Sequence, residues 1–358
     1  GQDGGQDYHR GECFYARELV LPKAAPEARF VLEFDGVATV GSVWLNGVHL
    51  RTTETPYSRF RIDITEVVRR DGANLLIVSA DNSPRTDIYP QTADFTFYGG
   101  IYRSVRLLVV NPTHFALDPN ATPGIVVTAT PTGEDATVTV AAAIVAPAQG
   151  DALGVSLLDA DGLVVAEAWR PAAAEVTIDL PVHDAHRWHG VEDPYLYTAV
   201  ARILRRNEVI DEVEVNVGIR EFSVDPERGF ILNGQAVPLR GVSRHQDRLA
   251  KGNALSFADH LEDVELMLEV GANTVRLAHY QQAQEFYDLC DEAGLIVWAE
   301  IPFISVMSKD PAAHDNSRLQ MTELVTQNIN HPSICFWGIS NEITIGGESP
   351  QLSEYLRD

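Results

Sequence analysis

An amide and a carboxylic acid stand side by side, Asn341-Glu342, directly after the apolar run "ICFWGIS" and before the loop "ITIGG". Three other apolar runs carry comparable groups: Arg244 and His245 after "LRGVS", Arg276 and His279 within "TVRLAHY", and Glu300 after "LIVWA". Such a set can hydrogen-bond sugar hydroxyls and move a proton. Taken singly, each residue has a plainer reading. Glu342 reads as a solvated loop carboxylate, with Asn341 in an Asx-turn. Glu300 reads as a salt-bridging acid and Arg276 as its partner, or the partner of another strand-end carboxylate. His245 and His279 read as satisfied histidines at the edge of a core. A metal held by both histidines and an acid lacks the His-x-His or His-x3-His chelate spacing. No metal and no cofactor are expected.

The elements that must position these groups change that weighing. From about residue 222 the pattern alternates strand and helix: strands in "FILNGQAVPLRGVSRH", a helix "SFADHLEDVELMLEVGA", then "NTVRLAHY", "AQEFYDLCDEAG", "LIVWAEIP", "SRLQMTELVTQNI" and "SICFWGIS". Ser256 is the expected cap of the first helix, with Leu261, Val264 and Leu268 on one face. The last stretch, "SPQLSEYLRD", reads as the start of another helix. Short, near-continuous apolar strands alternating with helices predict a parallel sheet covered on both faces. Four such units match half of a (β/α)8 barrel, whose active sites lie at the C-terminal strand ends. All the polar groups above fall on that one face. A carboxylic acid beside an amide, facing other acids and donors, is what glycoside hydrolysis requires: one acid protonates the leaving oxygen while a second carboxylate attacks or activates water.

Two β-rich segments precede this half barrel. Residues 1–110 contain short strands broken by Asp-Gly and Asn-Gly turns, with Asn46-Gly47 in "WLNGVHL" as a hairpin signal. They predict a jelly-roll β-sandwich. Residues 111–221 hold about seven strands, the size of an immunoglobulin-like β-sandwich, and carry no evident chemistry. The fold class is thus multidomain, mainly β and then α/β, with the partial (β/α)8 TIM barrel over residues 222–358.

With 51 acidic and 27 basic residues the 358-residue chain carries a net charge of −24, which repels nucleic acid and anionic membrane. Neither is an expected partner. Cys13, Cys290 and Cys335 fit no disulfide framework or zinc spacing, and the latter two lie in apolar runs as buried thiols would. Neither a signal segment nor an 18-residue apolar span is visible, so a cytoplasmic location is expected, although "GQDGGQDYHR" looks like a cut inside a longer protein.

At these motifs the chain resembles glycoside hydrolase family 2, the β-galactosidase and β-glucuronidase family. "FYGGIYRSVRLLVV" is similar to the end of that family's jelly-roll domain, and "EDPYLYTAVARIL" and "NVGIREFSVD" to its immunoglobulin-like domain. "GFILNGQAVPLRGVSRHQD", "NTVRLAHYQQAQEFYDLCDEAGLIVWAEIP" and "NHPSICFWGISNE" are similar to its barrel. The resemblance implies that Glu342 is the general acid/base and that Asn341 contacts the sugar 2-hydroxyl. It makes Arg276 the group that positions the nucleophile, and places His279 and His245 in the glycone pocket. It assigns Asp94, in "DFTFYGGIYR", a reach from the jelly-roll domain to the sugar; alone that residue would read as a turn aspartate. "IPFISVM" offers no Glu and His for the magnesium site of some members. Glu300 and Glu348 match no nucleophile motif, and the family's nucleophilic glutamate lies on a later strand.

The expectation is a retaining exo-β-glycosidase acting on β-linked glycosides, first a β-galactosidase, since "SNEIT" resembles galactosidase versions. The alternatives are a β-glucuronidase of the same family or a non-catalytic carbohydrate-binding protein. Homo-oligomerisation of the full-length protein is left open. This chain alone is expected to be inactive, and its open barrel side to expose an aggregation-prone edge.

Overall fold

The structure is a computed structural model that describes residues 8–118, 120–345, 347 and 351–357. The N-terminal sandwich sets two antiparallel sheets face to face. One is ordered Glu12–Val20, Ala73–Asp81, Val40–Leu45, Val48–Thr53, and the other Phe60–Asp63, Arg29–Phe34, Val105–Val110. Alternation decides which side chains go inward: Val43 and Leu45 are fully buried and meet Phe30, Leu32, Phe34 and Phe60 from the facing sheet. The hairpin turn sits at Asn46 and Gly47, with φ of 54° and 84°, as its Asn-Gly sequence predicts.

The second sandwich is immunoglobulin-like. Asp135–Val145 lies between Ile125–Thr132 and Glu175–Val182, and the short His114–Phe115 also pairs with it. The facing sheet runs Val164–Pro171, Ala152–Leu158, Tyr197–Arg205, Glu208–Val217. The short pairing and Val164–Pro171 bring the total to eight strands, one more than the sequence pattern suggested, because the latter strand is exposed along most of its length. This domain grips the barrel by polar and steric fit. Arg220 donates to the carbonyls of Pro332 (2.5 Å) and Ile334 (2.9 Å), and Trp188 Nε1 donates to that of Asp291 at 3.0 Å. Gly294 must be glycine twice over: its φ is 75°, and a Cβ would lie 2.2 Å from the backbone of Gly190.

In the barrel domain β1 (Gly241–Arg244), β2 (Thr274–Leu277), β3 (Ile296–Glu300) and β4 (Ile334–Gly338) form a parallel sheet in that order. Helices α1 (Phe257–Glu269), α2 (Gln284–Ala293) and α3 (Pro311–Asn328) connect them, and α4 (Leu352–Tyr355) follows. Strand alternation splits the side chains: Val275, Leu277, Val297 and Ala299 pack outward on the helices with Val264, Met267 and Phe286, which leaves Arg276, Trp298 and Glu300 on the inner side. Leu261 and Leu268, expected on the apolar face of α1 with Val264, are instead 37% and 41% exposed; the buried set is Asp259, His260, Val264 and Met267. The helix meets α2 along that flank alone, and Asp259 turns inward to cap Ser256 and bind Lys251. Helix α3 begins at Pro311, earlier than the apolar pattern suggested, because Asp310 caps it by accepting from Ala312 N and proline suits the first turn.

The face of α3 that meets the N-terminal sandwich is polar: Asn316, Gln320, Glu323 and Gln327, at helical spacing, are all buried. Their amides satisfy sandwich backbone that would otherwise be stranded. Asn316 donates to Glu54 O at 2.8 Å, Gln320 to Tyr89 O at 3.1 Å and Gln327 to Arg59 O at 2.9 Å. Along α3 the two domains are thus held in register by directional bonds. Among the described residues no helix is long and apolar enough to cross a membrane.

Candidate active site

Glu300 organises the inner side of the strand ends. Its carboxylate is fully buried, and Arg276 forks onto it, Nε to Oε2 at 3.0 Å and Nη2 to Oε1 at 2.8 Å. The same Nη2 lies 2.6 Å from Asn341 Oδ1. His279 Nδ1 is 2.5 Å from Glu300 Oε1, and Trp298 Nε1 donates to Oε2 at 2.9 Å. This proximity is a consequence of register. Arg276 is paired with Trp298 across β2 and β3, Glu300 with Gly338 across β3 and β4, and Trp298 and Glu300 share a face as i and i+2. Gly338 leaves room for both: a Cβ there would stand 2.4 Å from Trp298 Nε1 and 2.6 Å from Glu300 Cβ.

Asn341 is buried and held at both backbone atoms, its N–H on Phe303 O at 2.9 Å and its carbonyl accepting from Ser305 N at 3.0 Å. Glu342 follows with φ of 51°, a left-handed turn that costs a non-glycine residue about 1–2 kcal/mol. Its side chain is exposed at the C-terminal end of β4. A carboxyl group free in solvent beside an anchored amide can exchange protons with a bound group while the amide fixes that group's position.

His245 lies just beyond β1, its ring 5.3 Å from that of His279. Burial first and the neighbouring His279 second push its pKa down, so it stands as neutral imidazole near pH 7. The N-terminal sandwich closes this side. Phe95 packs against the rings of His245 (5.1 Å) and Tyr280 (5.4 Å), and Tyr57 stacks on Tyr280 at 4.2 Å. Arg103 donates to Gln281 O at 2.8 Å and to Gln246 Oε1 at 3.2 Å, pinning the two segments that bear the histidines. Asp94, exposed beside Phe95, exerts a pKa-raising pull on His245.

The structure thus gathers Arg276, His279, Glu300 and Asn341 into one bonded network, with His245, Glu342 and the Asp94 loop around it. Arg244 does not join them. Although it ends β1, it points under the helices, bonded to Asp263 (2.9 Å), Gln282 (2.6 Å) and His260 (2.9 Å), with its guanidinium 3.9 Å from the Phe286 ring. Its neighbour His245 lies one residue on and so takes the opposite side. Trp298, Phe95 and Tyr280 were not singled out from sequence. The signal for Trp298 was its i−2 spacing from Glu300, whereas Phe95 and Tyr280 meet only through the domain contact. Glu348 lies outside the described residues.

One further group, Asp288, Asp291 and His331, brings three possible ligand atoms within 4.8 Å of one another. It sits at the N-terminal end of β4, away from Asn341. Asp291 is already engaged there, with Oδ2 2.6 Å from His331 Nδ1 and Oδ1 accepting from Ser333 N at 3.0 Å.

Residues 6–111 match the sugar binding domain of the glycosyl hydrolases family 2, residues 125–220 a second domain of that family, and residues 224–358 its TIM barrel domain. The chain belongs to glycosyl hydrolase family 2. Among solved structures it is similar to the FMN-binding β-glucuronidase of F. prausnitzii L2-6, with 46% identity and a TM-score of 0.95 over 99% of this chain and 55% of that one. Among curated proteins it is 36% identical to a β-glucuronidase of Bacteroides fragilis, over 99% of this chain and 53% of the relative. It is 31% identical to the β-galactosidase BoGH2A of Bacteroides ovatus, over 95% of this chain and 40% of the relative. The chain therefore spans about half the length of the curated relatives it matches. The family's three-domain architecture, two sandwiches followed by barrel strands, is the one described above.

Proposed function

We propose that this chain supplies the sandwich domains and the acid/base half of the active site of a retaining exo-β-glycosidase. The observation that carries the reading is the convergence of Asn341-Glu342, Arg276, His279 and Glu300 at the strand ends, with the N-terminal sandwich closing over them. Glu342 protonates the glycosidic oxygen, and the nucleophilic carboxylate comes from a later strand of the whole protein. In the second half-reaction Glu342 takes a proton from water, which then attacks the covalent intermediate. Asn341 binds the sugar 2-hydroxyl and Arg276 orients the nucleophile. His279 and His245 line the glycone pocket, with Asp94 reaching in from the sandwich. In the assembled enzyme the two carboxyl groups stand about 5–5.5 Å apart, the separation of a retaining mechanism.

The sugar is a β-glucuronide or a β-galactoside. Relatives with 46% and 36% identity bear the first name, which supports the glucuronide, whereas the form of "SNEIT" supports the galactoside. The test is nitrophenyl β-glucuronide and β-galactoside hydrolysis by the full-length protein. Glu342→Gln is expected to reduce kcat by about 10²–10⁴-fold, the usual contribution of a general acid/base. Undiminished turnover by that variant removes Glu342 from the mechanism. Binding of the sugar without hydrolysis by the full-length protein supports a carbohydrate-binding role instead.

A further inference from the structure

Each oxygen of the Glu300 carboxylate already takes two donors: Oε1 from Arg276 and His279, Oε2 from Arg276 and Trp298. With no exposed surface and its lone pairs occupied, it has nothing left to offer a sugar. It can act only through its partners, and the hydrogen-bond arithmetic says how. His279 Nδ1 must carry the hydrogen in its 2.5 Å contact with the carboxylate, since a lone pair cannot face an anion. Arg276 Nη2 stands 3.3 Å from that same nitrogen and, having only hydrogens, would face a bare Nδ1 better, but the 2.5 Å contact with a buried anion is the shorter and stronger of the two. With Nδ1 committed to Glu300, Nε2 is the ring nitrogen left to meet a ligand. The fork on Glu300 also holds the guanidinium so that Nη2 meets Asn341. Because Arg276 has no acceptor, the amide turns Oδ1 toward it and Nδ2 away as a donor.

We propose that Glu300 is a positioning residue that orders the polar groups of the sugar pocket: through Arg276 it makes Asn341 a donor, and through its bond to Nδ1 it fixes the His279 ring with Nε2 turned to the ligand. Trp298 and the bare backbone of Gly338 hold the carboxylate for this task. The proposal rests on the glycosidase reading above.

The test uses the full-length enzyme, the nitrophenyl glycoside it hydrolyses, and the 2-deoxy analogue of that glycoside. In Glu300→Gln an NH2 group meets a ring of donors, so Arg276 and Asn341 lose their fixed orientation. The expected loss in kcat/KM is about 10–100-fold on the parent glycoside, the effect typical of removing an orienting partner. On the 2-deoxy analogue, which has no hydroxyl for Asn341, the loss should be smaller by about threefold or more, the share of one hydrogen bond, with the part that runs through Arg276 and His279 remaining. Trp298→Phe keeps the charge and removes one donor, for an expected loss of about 3–10-fold. Added to Glu300→Gln it should cost nothing more, because both act through one carboxylate. Equal losses on the two glycosides, or full additivity, overturn the positioning role, as does an unchanged kcat/KM in either single variant. If Glu300→Gln does not fold, Trp298→Phe on the same pair of substrates decides. Failure of the wild type on both glucuronide and galactoside overturns the glycosidase reading itself; a working wild type with substrate-independent losses overturns only this proposal.

Discussion

Gly338→Ala tests the packing that underlies the site. The residue does not have a positive φ, so alanine meets no backbone penalty there, and shortening the unfolded chain's conformational freedom alone would stabilise by about 0.4–1 kcal/mol. The space decides otherwise. The added methyl would lie 2.4 Å from Trp298 Nε1, 2.6 Å from Glu300 Cβ and 3.1 Å from Glu300 Oε2, against ordinary carbon contacts of about 3.5–4.0 Å. One of the two side chains must move by about 1 Å, which breaks the 2.9 Å Trp298–Glu300 bond and disturbs the fork with Arg276. Overpacking costs about 1–3 kcal/mol, and the loss of one hydrogen bond to a charged group about 1.5–3 kcal/mol. Less the entropic gain, the net is about 2–5 kcal/mol. For a domain of this size that corresponds to a fall in Tm of roughly 4–20 °C. The assay is thermal unfolding of full-length protein, with kcat/KM measured on the same samples. A Tm within about 2 °C of wild type, together with unchanged kinetics, would show that the inner side of β3 and β4 is not packed as described.

Two further perturbations probe the supports. Gln327→Leu removes four hydrogen bonds, three of them interdomain (Arg59 N and O, Asn120 O) and one within the barrel domain (Gln281 Nε2), and strands their partners, for an expected cost of about 3–5 kcal/mol. Limited proteolysis should then release the N-terminal sandwich earlier than in wild type, and equal cleavage rates would refute the locking role of α3. Burial, followed by the charges of Arg244 and Arg103, pushes the pKa of His260 down to about 4 from an ordinary 6.5. Because the folded state resists protonation, stability is lost as pH falls from about 6.5 toward 4 and the loss levels off below that. In His260→Asn the fall in Tm over that window should be shallower; an identical pH profile would count against it.

The barrel strands and their helices were legible because each carries its period within one short segment. "CFWGIS" and "IVWAE" are near-continuous apolar runs, "QEFYDLCDEA" is amphipathic, and the glycine after it takes the left-handed conformation. Strand-end chemistry was legible for the same reason: a parallel sheet places every C-terminal end on one face, so Arg276, Glu300 and Asn341 could be put together from order alone. Arg244 shows where that argument stops. Position at a strand end does not say which side of the sheet a side chain takes, and here a buried guanidinium found Asp263, Gln282 and the Phe286 face under the helices. Leu261 and Leu268 show the same in α1, where a polar inner flank displaced the apolar one.

By itself, then, the sequence determined the succession of two sandwiches and an α/β segment, the strands of the barrel, and which residue types stand at their catalytic ends. Those properties depend on neighbours within a few residues, and the periods of strand and helix record them. In the sequence Glu300 already reads as a salt-bridging acid partnered by Arg276; tertiary structure alone decided that its carboxylate is a saturated hub, with His279 and Trp298 as further donors. It also decided that Trp298 and Gly338 shape that hub, and that Phe95 and Tyr57, some two hundred residues upstream, wall in His245 and Tyr280. The reason is that hydrogen-bond saturation, side-chain tautomer and steric room are set by atoms brought together across register and domain contacts, and no period along the chain encodes which atoms those are.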